Sequence, residues 1–408
     1  MIPADQLPAK RGPSLDLLAD VRVLDLTTSI AGPAATQLLG DLGATVLKIE
    51  RPRGGDDARS WGPPFLDGES LWFTSVNRNK RSLTLDIGSA AGYAIFERLV
   101  AKADVVVVNL VIRAQRKLRI DVDSLRALNP SLIHVSVTGF GLVGRRADQP
   151  SYDLIAEGYS GVMDLTGEAE TGPQKVGSPA ADLLAGTDAA LATIAALYRR
   201  QRDGKGCQVD VSMLESMTRF MAPRIASYLG SGEQPKRSGG RDSVIAIYQV
   251  FDTADLPMTL GLGNDSIWQR FWAAVGQPQF AANPLYATNA ARREHRATIV
   301  AEIAALLKVR ARAEWLALFE KHAIPAGPIN RVADVTSDPD LLAGGFFYST
   351  ERSGVRIPLI GLGIKFDGRS EGCDAAPPKL GQDTQFVLKD WLGATESEID
   401  SLRLAKAV

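Results

Sequence analysis

The chain has 408 residues, 45% hydrophobic and 23% charged, a composition of a globular protein long enough for two domains or one large elaborated one. A formal charge of −1 with no basic run argues against nucleic acid as a partner, because neutralising phosphates needs a concentrated positive face. No apolar run approaches 18 residues, so no membrane span is expected, and Cys207, Cys373, His134, His295 and His322 offer neither zinc spacing nor a disulfide framework, which fits a reducing cytoplasm.

The first residues, MIPADQLPAKRGPS, are polar and proline-rich without an apolar signal core, and read as a loose leader. In the stretch 22–51, VRVLDLT reads as a buried strand and IAGP as a tight turn. A short helix to Gly43 and a second strand, ATVLKIE, follow. This is the opening of a nucleotide-binding α/β domain, yet it holds neither GxGxxG nor GxxxxGK[ST], so a ligand here is held without the usual glycine cradle. The segment 88–103 has Ala91, Ile95, Leu99 and Val100 at helical spacing. DVVVVNL (104–110) is a β-branched run suited to a strand covered on both faces. A helix at 124–130 and a strand at 132–140 continue the alternation, which predicts a parallel sheet. A long helix is expected from Asp182 to about Arg202, with Leu184, Leu191, Ile194 and Tyr198 as its buried stripe. The strand 207–213 and one helix over 214–229 come next. GSGEQPKRSGG (230–240) has the composition of a linker. Beyond it, strands 244–251 and 257–263 form a hairpin, with helices at 265–276, 290–308 and 312–322. The fold class is therefore α/β, a large domain with a parallel sheet plus a smaller α+β domain.

Several residues could carry chemistry. Asp182, in GSPAADLLAG, is either the N-cap of its helix or a nucleophilic carboxylate at a helix N-terminus; the local sequence does not decide. Asp153, in PSYDLIAEGYSG, reads as a cap beside a packed Tyr152, and Glu157 one turn later could share its face. Arg51, Arg53 and Arg59 lie with Asp56 and Asp57 in a loop after the second strand, where ligands of open α/β sheets bind and an Arg suits a phosphate. Asn79, Lys80 and Arg81 form a second candidate segment for phosphate or backbone anchoring. Gly239, Gly240, Gly261 and Gly263 permit turns or close backbone approach.

The order of these segments, from VLDLTTSIAGPAATQLLGDLGATVLKIERPRGGDDAR through FTSVNRNKRSLTLDI, ADVVVVNL, VSVTGFG and SYDLIAEGYSGVMDLTG to ADLLAGTDAALATIAALYRRQRDGKGCQVDVSMLES, resembles the class III CoA-transferase family, the group of formyl-CoA and carnitine CoA-transferases. The resemblance is unbroken from about 20 to about 230 and continues more weakly through IAIYQVF, HAIPAGPINRVADV and PKLGQDT. It implies transfer of CoA from an acyl-CoA to a free carboxylic acid, with Asp182 as nucleophile, through aspartyl anhydride and aspartyl-CoA thioester intermediates. No permanently bound cofactor is implied; CoA and acyl-CoA are substrates. By the same resemblance, Ile30 and Ala31 run along the pantetheine arm, Arg51 meets the phosphates and Leu85 and Asp86 shelter the adenine. Asn109 and Leu110 form the loop after the third strand. Lys117 stands where the family has a phosphate-binding arginine, keeping the charge without the planar fork. Tyr152 lies beside the thioester and Trp61 near the acyl group.

Two departures from the family pattern bear on the substrate. Ile30 replaces a glutamine that contacts the oxalyl group, which argues against oxalate or formate. SGGRDS (238–243) stands where a run of glycines shields the intermediate, so Gly239, Gly240 and Arg241 become substrate-binding candidates, with Arg241 suited to the distal carboxylate of a dicarboxylic acid. The pattern points to succinyl-CoA and four- to six-carbon dicarboxylates. The resemblance also implies an interlocked homodimer: a Rossmann-like large domain over 15–225 completed by 335–408, a linker at 226–239, a small domain at 240–325 and a return linker at 326–334. Two alternatives are a 2-methylacyl-CoA racemase and a non-catalytic CoA-binding protein. Counting back from Ser160-Gly161, the racemase histidine position holds Tyr152, which disfavours the first.

Overall fold

The computed structural model describes residues 6–9, 14–368 and 375–408. Cys373, for which no pairing was expected, lies outside them, as do residues 1–5 and 10–13 of the leader. The chain divides into two compact units, Met1–Val162 with Lys175–Gly232 and Thr336–Val408, and Met163–Gln174 with Glu233–Val335.

The first unit is built on six strands, β1 Arg22–Asp25, β2 Thr45–Glu50, β3 Lys80–Thr84, β4 Val105–Val108, β5 Ile133–Thr138 and β6 Gln208–Ser212. All are parallel, in the order β3-β2-β1-β4-β5-β6. Every residue of β4 and β5 is buried, as the continuous β-branched runs require for strands covered on both faces. The connecting helices that matter for the site are α1 Ala31–Asp41, α2 Ala90–Val100, α3 Ile112–Leu118, α4 Val122–Leu128, α5 Asp153–Ser160, α6 Ala180–Asp203, α7 Met213–Phe220 and α8 Ala222–Ser231. Leu47, Leu83, Phe96, Leu99, Val106 and Val108 form the main core, into which Val387, Leu388, Ile399 and Leu402 of the C-terminal segment pack.

Four local expectations are corrected. IAGP is not a turn: Ile30 is the N-cap and Ala31 opens α1, while the chain reverses at Ser29, whose φ is +69°. The single helix over 214–229 is two, because Pro223 in the first turn of α8 has no amide to continue α7. The candidate segment of Asn79, Lys80 and Arg81 is not a loop like that of Arg51: β3 begins at Lys80. The described part of the leader is not loose: the Ser349 amide donates to the Pro8 carbonyl at 2.9 Å and the Arg356 guanidinium to that of Leu7 at 3.1 Å.

The buried stripe of α6 also differs from the expected one. Leu191 and Tyr198 are both 64% exposed. The buried positions are mostly small, Ala181, Ala185, Gly186, Ala189, Ala190 and Ala196, joined by Asp182, Thr193 and Leu197. They let α6 lie close on α1, β5, β6 and α7, because small residues allow backbones to approach closely. By length and composition α6 could cross a membrane, contrary to the expectation that no such run exists, but these contacts make it a core helix of this unit.

The second unit has an antiparallel sheet of β7 Tyr248–Phe251, β8 Met258–Gly261 and β9 Ala326–Pro328. Helices α9 Asp265–Ala274, α10 Arg296–Leu307 and α11 Arg312–Lys321 supply Trp268, Phe271, Trp272, Ile303, Trp315 and Phe319 to its core. The helix expected over 290–308 breaks at His295, between Asn289–Glu294 and α10.

A buried ion network joins β1, β2 and β3. Asp25 on β1 pairs in register with Lys48 on β2, and both are fully buried. Lys48 Nζ lies 2.9 Å from Asp56 Oδ2 and 3.9 Å from Asp25, and Lys80 Nζ lies 2.9 Å from Asp25. Burial alone would raise the Asp25 carboxyl, but Lys48 and Lys80 hold it well below the carboxylate range. Burial pushes Lys80 down to about 8, against the pull of Asp25. Removing one member leaves a buried charge uncompensated. Lys48→Met is therefore expected to destabilise the fold by about 3–5 kcal/mol, whereas Arg51→Met, which removes a surface pair, changes stability by less than about 1 kcal/mol. Denaturant unfolding of the two variants checks this; equal, small effects would contradict it.

Candidate functional site

In a doubly wound sheet, ligands bind outside the carboxyl ends of the strands where the strand order reverses. Here the reversal lies between β1 and β4. Residues 27–30 leave β1 at that point, and Asn109 and Leu110 leave β4. Five backbone groups of this loop, in Thr27, Thr28 and Ser29, are held by side chains. Asp25 Oδ1 accepts from the Thr27 amide at 2.9 Å, and Lys48 Nζ donates to the Thr27 carbonyl at 2.7 Å. Asn109 accepts from the Thr28 amide at 3.1 Å and donates to its carbonyl at 2.7 Å. Asp56 Oδ1 accepts from the Ser29 amide at 2.9 Å. Lys80 Nζ donates to the Pro33 carbonyl at 2.9 Å, so Lys80 anchors the backbone and is not open to a phosphate. Asn79 and Arg81 are likewise engaged within the fold, with Asp41 and Asp383.

The loop ends on an apolar corner where Ile30, Ala34 and Val76 pack with Trp61, whose ring meets Trp72 edge-on at 6.2 Å. Arg51 follows β2. It is exposed and pairs with Asp57 at 2.6 Å, a solvated pair that a stronger anion can displace. Leu85 follows β3 with its side chain in the core, and Asp86 beside it is exposed. Lys117 is exposed near the end of α3. The structure thus gathers Ile30, Ala31, Arg51, Leu85, Asp86, Asn109 and Leu110 at one end of the sheet, with Lys117 on the helix after β4.

Asp182 is not the N-cap of α6. Pro179 occupies that position with no side-chain cap, and Asp182 lies in the first turn. The capping acceptor comes from α5: Asp153 Oδ1 accepts from the Ala181 amide at 2.8 Å and from the Asp182 amide at 3.3 Å. Asp153 therefore caps another helix than its own, and Tyr152, the N-cap of α5, has its ring 62% exposed rather than packed. The Asp182 side chain is 9% exposed. Burial, with the neighbouring Asp153 charge, pushes its carboxyl up to about 7. The helix N-terminus favours the anion, but burial outweighs it.

One turn along α6, Gly186 presses against α1. A Cβ there would stand 2.7 Å from the Ala31 carbonyl oxygen, so only glycine allows this approach. Asp182 and Gly186 share a face of the helix, which puts the Asp182 face of α6 on the IAGP segment. In the second unit, Gly239, Gly240, Arg241, Tyr248, Gln249 and Gly261 border a cavity of about 440 Å³. Gly239 has φ +56° and donates its amide to the Gly167 carbonyl at 2.9 Å. Among the described residues, no three His, Cys, Asp or Glu side chains group as a metal site. Sequence reasoning missed Asp25 and Lys48; a lysine inside the otherwise apolar TVLKIE strand was the available signal. Asp56 was noted only as part of a charged loop.

The model of CoA-transferase family III matches residues 18–384. The chain belongs to CoA-transferase family III. This CoA-transferase is 38% identical to the succinate–glutarate CoA-transferase of Agrobacterium fabrum, over 91% of this chain and 95% of that one. It is 36% identical to the succinyl-CoA:glutarate CoA-transferase of Mus musculus, over 95% and 89%. A solved CAIB/BAIF family protein from Brucella suis superposes with a TM-score of 0.81 at 37% identity, over 93% of this chain and all of that one.

The raised Asp182 carboxyl has a measurable consequence for the transferase. Its folded value, about 7, lies above the ordinary aspartate value of about 3.9, so the folded state binds the extra proton between the two. The carboxylate is costless below about pH 4, and its cost grows until pH passes 7. Asp182→Asn should therefore be more stable than wild type at pH 8, by up to about 4 kcal/mol, with the advantage shrinking as pH falls towards 5. Thermal unfolding across that range checks it; a pH-independent difference would contradict it.

Proposed function

We propose that the enzyme moves CoA from a succinyl-type acyl-CoA to a free dicarboxylic acid, with Asp182 as covalent nucleophile. The observation that carries this reading is the buried Asp182 carboxylate on the face of α6 that Gly186 sets against Ala31. The dicarboxylate preference draws on the substrates named for the relatives and on Ile30, which cannot donate a hydrogen bond to an oxalyl group.

The ionised Asp182 carboxylate attacks the donor thioester carbonyl; the C–S bond breaks, giving an aspartyl anhydride and CoA thiolate. The thiolate attacks the aspartyl carbonyl, forming an aspartyl-CoA thioester and releasing the donor acid. The acceptor carboxylate attacks that thioester, giving a second anhydride and thiolate, and the thiolate takes the new acyl group and restores Asp182. The elevated carboxyl makes the nucleophile more basic, and each acylation removes a buried charge beside Asp153. Ile30, Ala31, Asn109 and Leu110 would line the pantetheine arm, Arg51 and Lys117 would meet phosphates, and the Leu85 backbone and Asp86 would lie by the adenine. Trp61 and Tyr152 would stand near the acyl group. Gly239, Gly240 and Arg241 would shield the intermediate and bind the distal carboxylate.

The active form is proposed to be an interlocked homodimer. In the single chain Leu191, Tyr198, Phe220 and Leu229 are exposed, an apolar surface that a second copy would cover. A cytoplasmic location is part of the same proposal. The racemase alternative lacks a histidine at Tyr152, and His134 is buried on β5, bonded to the Ile120 carbonyl at 2.8 Å.

Incubation with succinyl-CoA followed by hydroxylamine or borohydride should modify Asp182, and Asp182→Asn should lose turnover by roughly a thousandfold or more. Proton exchange at the α-carbon without modification would indicate a racemase, and neither outcome a binding protein. Arg241→Met should raise KM for glutarate roughly tenfold to a hundredfold and leave that for a monocarboxylate unchanged; turnover of monocarboxylates alone would remove the dicarboxylate assignment.

A further inference from the structure

Asp153 and Glu157 stand one turn apart on α5, and each holds one end of the segment that carries Asp182. Glu157 Oε2 accepts from the Val176 amide at 2.9 Å, and Asp153 accepts from the Ala181 and Asp182 amides. Between these anchors Gly177 and Ser178 are exposed and Pro179 and Ala180 half-buried, so the two carboxyl groups clamp the chain to the helix. Glu157 is fully buried, and among the described residues no donor reaches its Oε1. A buried, undonated carboxylate oxygen is costly. The group Glu157 faces is another acid, Asp153, and two carboxyls hydrogen-bond only when one carries a proton.

We propose that Glu157 is a positioning residue for the transfer reaction: as a neutral acid it donates to Asp153 and so fixes Asp153 beneath the first turn of α6, which sets where the Asp182 carboxylate lies. Burial first, then Asp153, favours the protonated form of Glu157. The other charged groups around it do not replace that proton. Lys175 is exposed and donates to the Val176 carbonyl. On α7, which packs on α5, Glu215 and Arg219 are exposed, and Arg219 pairs with Asp188 of α6. Asp182 on α6 meets Asp153 through its own amide. A single shared proton thus leaves one negative charge, on Asp153, next to the nucleophile.

The kinetic part of the test rests on Asp182 as nucleophile, whereas the spectroscopic part does not. In the full-length protein at pH 8, the infrared difference between wild type and Glu157→Gln should show the carbonyl stretch of a protonated carboxyl, lost in the variant. Glu157→Leu should lower kcat roughly tenfold to a hundredfold with little change in KM for succinyl-CoA. Its kcat–pH midpoint should shift, because Asp153 without its donor is no longer held in place and its charge moves relative to the Asp182 carboxyl, which that charge pushes up. Glu157→Gln keeps both hydrogen bonds and should restore rate and midpoint. Absence of the protonated-acid band would overturn the proposal, as would a Glu157→Gln variant as impaired as Glu157→Leu. An unshifted midpoint in a folded Glu157→Leu would reduce Glu157 to packing and overturn it too. If the band is present but Asp182 is never acylated, the reading of Asp182 fails and the protonation of Glu157 stands.

Discussion

The buried charges of Asp25, Lys48, Lys80 and Asp56 constrain the chain that leaves β1 at the carboxyl end of the first sheet. Such a cluster is a poor source of net stability, because desolvation consumes most of the attraction. Its value here is geometric. Adjacent strands hold Asp25 and Lys48 in register, and their spare hydrogen-bonding capacity is directed at the 27–33 backbone. The proposed CoA site lacks a phosphate-binding glycine loop and needs its backbone fixed by other means, and these ions do so with Asn109. The left-handed conformation at Ser29 is tolerated because the surroundings determine it.

A second constraint is the shared face of α1 and α6. Small side chains let the two helices approach until Gly186 meets the Ala31 carbonyl, so the loop fixed by the ion network also locates the helix bearing Asp182. The same closeness buries the Asp182 carboxylate and raises its affinity for a proton. Stability is sacrificed at this position, which suits the basic, dry nucleophile proposed for Asp182. Asp153, from a third helix, adds negative charge while capping α6.

The parallel sheet was legible because its strands are β-branched and continuous, and the candidate ligand positions were legible because they follow strand ends. What the sequence concealed depends on contacts between distant segments. Asp182 resembled a cap because Asp favours helix starts, yet the cap is Asp153, 29 residues earlier. The stripe of α6 was misjudged because large apolar residues are the usual buried ones; here close helix packing reversed the choice, and Leu191 and Tyr198 face outward. Lys80 looked like a phosphate ligand because its partner, Asp25, is 55 residues away. Glu157 was visible only as half of a common spacing, and its burial cannot be read from periodicity.

The most direct test follows the oxygen atoms. If Asp182 passes through an anhydride with the acceptor, one oxygen of the acceptor carboxylate remains on Asp182 when the new acyl-CoA departs. Turnover with succinyl-CoA and glutarate labelled with heavy oxygen in its carboxylates should therefore leave heavy oxygen in the peptide containing Asp182, located on that side chain by fragment mass spectrometry. An unlabelled Asp182 after many turnovers, with labelled acid converted to its CoA thioester, would contradict covalent catalysis by this residue.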